Sequence, residues 1–86
     1  MGYKVFLLDP ANEFLLALAI KERQDLARVL LTLKKNPRPE GSRKLEPSLT
    51  EPVPGGRVWE RQDWIVTYKL DEERRTVDVG RIERHS

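Results

Sequence analysis

The side chains able to do acid, base or electrostatic chemistry in this sequence gather in two stretches. One runs from Lys34 to Arg61 and includes Arg38, Arg43, Lys44 and Glu46; the other is Arg81 to His85, with Arg84 between them. Guanidinium and ammonium groups clustered in one region attract phosphates whatever the total charge, because screening limits their reach to about 8–10 Å. The formal net charge of +2 therefore says less than the positions do. A solvated surface is the other meaning of the same residues. Trp59 shares strand parity with Arg57 and Arg61 and is the better placed of the two tryptophans to stack on a nucleic-acid base. Trp64 shares parity with Val66 and Tyr68 and reads as core. Burial in the core or contact with a protein partner is the competing role for both.

Several chemistries find no support. Cysteine is absent and histidine occurs once, which removes disulfides and thiolate metal sites and leaves a zinc site dependent on several carboxylates. There is no glycine-rich phosphate loop at a strand–helix junction, no ligand cluster, and no triad partner for His85. No metal and no cofactor are expected. The longest apolar stretch, near Phe14 to Ile20, is far shorter than the roughly 18 residues a membrane span needs, and no basic leader precedes it. The expectation is a cytoplasmic protein in a reducing compartment.

The 86 residues, 38% apolar and 35% charged, suit one core of modest stability and one domain over 1–86. Tyr3 to Leu8 reads as a strand, ended by Asp9-Pro10, where aspartate caps and proline opens a helix. Ala11, Phe14, Leu15 and Leu18 form one apolar stripe. The pattern then loses phase at Glu22 and Asp25 and restarts as Leu26, Val29, Leu30 and Leu33. This predicts a break near Lys21 to Gln24, Asp25 as a second cap, and a stop at Lys34-Lys35-Asn36-Pro37. Pro37 to Gly56 carries five of six prolines and three of five glycines, a long loop. Period-two patterns follow: Arg57 to Arg61, Trp64 to Leu70, a turn at Asp71 to Arg74, and Thr76 to Arg84 with a bulge at Gly80. The fold class is α+β in the order β-α-α-β-β-β, a helical hairpin packed on a small, mainly antiparallel twisted sheet.

That order, with Asn36-Pro37 closing the second helix, the segment Pro39-Glu40-Gly41-Ser42-Arg43-Lys44-Leu45 and the strand Asp63-Trp64-Ile65-Val66-Thr67-Tyr68, resembles the RelE/ParE toxin superfamily of type II toxin–antitoxin systems nearly end to end. Lys44-Leu45-Glu46-Pro47 and the ending Arg84-His85-Ser86 look most like the YoeB branch.

The resemblance implies a ribosome-dependent mRNA endoribonuclease that blocks translation, with a cognate antitoxin covering its active groove. Metal-free cleavage through the 2′-OH needs a base, an acid for the leaving 5′ oxygen, and cations for the phosphorane. By motif position Glu46 is the base, His85 the acid, and Lys44 with Arg81 or Arg84 the phosphate-holding cations. Arg43 lies in the same loop. Ile65 stands where the mRNA-cleaving pattern places an arginine, so Arg61 is the candidate to reach that volume; Ser86 stands where a terminal tyrosine is common. Both departures favour the alternative of a ParE-like inhibitor of DNA gyrase without nuclease activity. A catalytically decayed module that only binds its antitoxin is the third reading. In either toxin role the partners are the antitoxin and a large target, ribosome with mRNA or gyrase.

Overall fold

The computed structural model describes residues 2–45 and 56–85. Strand β1 (Lys4–Leu7) leads into helix α1 (Asp9–Leu16) and helix α2 (Ile20–Lys35). Four strands follow: β2 (Arg43–Lys44), β3 (Gly56–Arg61), β4 (Trp64–Asp71) and β5 (Thr76–Arg84). They form one sheet in the order β1-β5-β4-β3-β2. β1 pairs parallel with β5, and the other three pairings are antiparallel. The α+β class expected from the sequence is the one observed, with one strand added.

Four local expectations need correction. The helix break falls at Ala17 to Ala19, not Lys21 to Gln24, and Ala19, not Asp25, flanks the start of α2. The reason is Arg23, whose guanidinium donates to the carbonyls of Leu16 (3.0 Å) and Leu18 (3.2 Å). It satisfies acceptors that the end of α1 leaves open, which lets the chain turn earlier than the apolar phase suggests. Asp9 is the first helical residue and Leu8 flanks it, one position from the expected cap. Within the proline-rich segment, Arg43 and Lys44 form a strand against β3, held in part by Arg57 donating to the Ser42 hydroxyl at 2.9 Å.

The helices cover one face of the sheet. Ala11 and Leu18, with Leu26, Val29 and Leu33 of α2, meet Trp64, Val66, Tyr68 and Leu70 of β4 and Val77, Val79 and Ile82 of β5. Enclosing a side chain such as Leu26 or Leu33 stabilises the fold by about 1.5–3 kcal/mol. Phe14 meets Trp64 edge-on, with ring centroids 6.0 Å apart. The Tyr68 hydroxyl donates to the Pro37 carbonyl at 2.6 Å, tying the end of α2 to the centre of the sheet. At Gly80 the β4–β5 register shifts, Tyr68 facing Val79 and Thr67 facing Arg81. This is the expected bulge, and it explains how Val79 and Ile82 both reach the core.

Candidate functional site

Neither helix packs on the opposite, open face of the sheet, where Val58 is nonetheless buried, and strand register decides which chemistry-bearing residues share it. Residues paired across neighbouring strands point to the same side of a sheet. Glu60 pairs with Ile65 and Ile65 with Glu83; Arg43 pairs with Val58, Val58 with Thr67, and Thr67 with Arg81. These two rows lie on the open face, and Lys69 beside Asp78 continues them beyond the bulge. A groove of about 560 Å³ runs along it, lined by Leu8, Leu45, Thr67, Lys69, Arg81 and Glu83 among others.

His85 follows β5 with the parity of Arg81 and Glu83. Its backbone N–H donates to the Asp63 carbonyl at 2.7 Å, fixing the chain next to the β3–β4 turn. Its Nε2 lies 3.4 Å from Glu60 Oε2, while Arg43 approaches Oε1 of the same carboxylate at 3.7 Å. One carboxylate thus lies within 4 Å of both a histidine and an arginine. Further along, Arg81 Nε is 2.5 Å from Glu83 Oε1.

Three expected site residues therefore share the open face: Arg43, Arg81 and His85. Four others do not. Arg61 pairs with Trp64 and Trp59 with Val66, so both belong to the helix side. Trp59 is 3% exposed and part of the core, which corrects its expected role as a stacking platform. Arg61 keeps its charged end in water by lying along the Trp59 ring, 6.0 Å from its centroid, in a cleft with Asp25, Arg28 and Thr32 of α2. The Gln62-Asp63 turn does not fold it towards the groove. Gln62 takes a positive φ of 54° to close the hairpin in two residues, and that tight closure fixes the register and with it the facing of Arg61.

Arg84 pairs with Trp64 and also faces the helices. It donates to Glu22 Oε2 at 2.6 Å and lies 5.3 Å over the Trp64 ring. The hydrogen bond holds the Glu22 carboxyl below the usual carboxylate range and raises Arg84 in turn. Lys44 pairs with Arg57 and opens on a separate cleft beside Arg38 and Glu72, whose side chains form an ion pair. Glu46 lies outside the described residues.

The sequence reading missed Glu60. A signal was present: a two-residue turn at Gln62-Asp63 sets Glu60 opposite Ile65. It also missed the balance of charge, since on the open face Arg43, Arg81 and Lys69 stand beside Glu60, Glu83 and Asp78 respectively. Exposed pairs of this kind are worth about 0–1 kcal/mol, so an arriving phosphate can exchange for the carboxylates. Among the described residues no group of three or more His, Asp or Glu side chains could hold a metal ion, and no helix is long and apolar enough to cross a membrane.

A small mixed sheet with two helices on one face and a charged groove on the other defines a class of fold before any comparison. Comparison with solved structures places it. No protein-family model matches the sequence, and no curated protein matches it either. A RelBE toxin–antitoxin complex from Mycobacterium tuberculosis matches over 99% of this chain and 100% of that one, with TM-score 0.81 and 19% identity. The archaeal RelE–RelB complex from Pyrococcus horikoshii OT3 matches over 98% and 96%, with TM-score 0.76 and 17% identity. The intact E. coli RelBE toxin–antitoxin complex matches over 98% of each chain, with TM-score 0.74 and 19% identity. The chain has the RelE toxin fold.

Proposed function

We propose that this chain is the toxin of a type II toxin–antitoxin pair in the RelE/ParE superfamily and that it cleaves mRNA on the ribosome, in the cytoplasm. The observation that carries the reading is the placement of His85 and Arg43 on the two oxygens of Glu60, on the sheet face whose groove is lined by Arg81 and Glu83.

The roles follow from chemistry and spacing. The 2′ oxygen attacks phosphorus, the P–O5′ bond breaks, and His85 gives a proton to the leaving 5′ oxygen, leaving a 2′,3′-cyclic phosphate and a 5′-hydroxyl end. The base that takes the 2′-OH proton is Glu46, as the family resemblance implies. Arg43, gathered to the same carboxylate as His85, neutralises the phosphorane. Arg81 lies four residues from His85, roughly 13 Å along an extended strand, which suits a neighbouring phosphate better than the scissile one.

An antitoxin partner is supported by the toxin–antitoxin complexes that share the fold. Phe6 and Leu8, about half exposed at the edge formed by β1, offer it apolar contact beside the groove. Primer extension on a model mRNA with purified 70S ribosomes tests the nuclease reading: cuts in the A-site codon that vanish in His85→Ala support it. Ile65 in the middle of the open face, between Glu60 and Glu83, favours the second reading, a gyrase inhibitor. Stalled supercoiling with intact mRNA would establish that instead.

A further inference from the structure

We propose that Glu60 is the positioning residue of the site, holding the His85 imidazole and the Arg43 guanidinium in one arrangement over the open face. The proposal rests on the nuclease reading for its catalytic meaning and on the geometry for its physical one.

Glu60 Oε2 lies 3.4 Å from His85 Nε2, and Oε1 lies 3.7 Å from Arg43. A base and an acid that serve one in-line displacement stand on opposite sides of phosphorus, each within about 2.6–3.2 Å of its own oxygen. Two groups in contact with each other cannot bracket a phosphate. Glu60 therefore acts through His85 and not as the base.

His85 needs such a partner. It follows the last strand and is anchored through its backbone to Asp63, but its side chain is 47% exposed. An imidazole this exposed explores many rotamers unless a second contact selects one. Glu60 sits on β3, paired with Ile65 of β4, and supplies that contact from the sheet. The same carboxylate draws Arg43 from β2 to the same place. When a phosphodiester arrives, Arg43 exchanges Glu60 for the phosphate while His85 keeps its orientation.

The test uses the full chain and two independent readouts. The first is relaxation of the His85 ring carbons by NMR, unambiguous because the chain has one histidine. The ring is expected to be ordered in the wild type, mobile in Glu60→Ala, and ordered again in Glu60→Gln, which keeps an acceptor oxygen. A ring equally mobile in wild type and Glu60→Ala overturns the proposal whether or not the protein cuts RNA.

The second readout is cleavage on ribosomes. Glu60→Ala is expected to lower kcat by about 10–100-fold, the range in which misplacement of a reacting group is felt, with KM nearly unchanged. In the His85→Ala background the same substitution should cost less, keeping only the part that acts through Arg43. An equal loss in both backgrounds, or a loss confined to KM, overturns the positioning role. Wild-type protein that leaves mRNA intact while its ring order still depends on Glu60 overturns the nuclease reading and leaves the pairing established.

Discussion

Arg84 of the last strand donates to Glu22 of the second helix at 2.6 Å, with its guanidinium 5.3 Å above Trp64. The contact joins the first turn of α2 to the far end of β5 and turns Arg84 away from the groove. A residue that reads as a phosphate ligand beside His85 is thus a clamp between helix and sheet.

The clamp has an acid dependence. Hydrogen bonding to Arg84 lowers the folded-state pKa of Glu22, so its contribution to stability is present above the unfolded value and is lost as pH falls through the folded one. Glu22→Gln should flatten this part of the acid limb. Urea midpoints measured from pH 7 down to pH 3 check it, and added salt should narrow the difference between the two proteins.

Tyr68 sets the alkaline limb. Burial raises its pKa, and its hydroxyl donates to the Pro37 carbonyl. The stability it contributes is complete below its unfolded pKa and is lost as pH rises through the folded one. Tyr68→Phe should remove that alkaline dependence and cost about 1–3 kcal/mol at neutral pH by leaving a buried carbonyl without its donor. Unfolding midpoints at pH 7 and in the alkaline range give both numbers.

The arginines should separate by face. Arg43→Gln is expected to lower kcat by about 10²-fold or more, as removal of a donor to the transition state does. Arg81→Gln should act mainly on KM. Arg61→Gln, on the helix side beside Trp59, should leave cleavage within about twofold, less than 1 kcal/mol on the barrier. Steady-state cleavage on purified ribosomes distinguishes the three.

How far the sequence could be read follows from where its patterns were local. Trp64, Val66, Tyr68 and Leu70 declare their face by period two, and all are buried. Gly80 marks the bulge because Ile82 falls out of parity with Val77 and Val79. The helix break was not legible, because Arg23 makes it with hydrogen bonds to Leu16 and Leu18 that leave no trace in apolar phase. Trp59 and Arg61 conceal their facing for a related reason. Two arginines flanking a tryptophan look like a wet face, whereas Arg57 is half-buried and donates to Ser42, and only Arg61, lying along Trp59, is exposed. The pairing of Glu60 with His85 joins residues 25 positions apart, and only the assembled sheet brings them together.

Protonation of the leaving 5′ oxygen by His85 leaves its mark in the chemistry of the RNA ends. mRNA incubated with wild-type protein and ribosomes should be cut to fragments bearing a 2′,3′-cyclic phosphate and a 5′-hydroxyl, and His85→Ala should slow this by about 10²–10⁴-fold. Intact mRNA with folded wild-type protein, or equal cutting by His85→Ala, would contradict it.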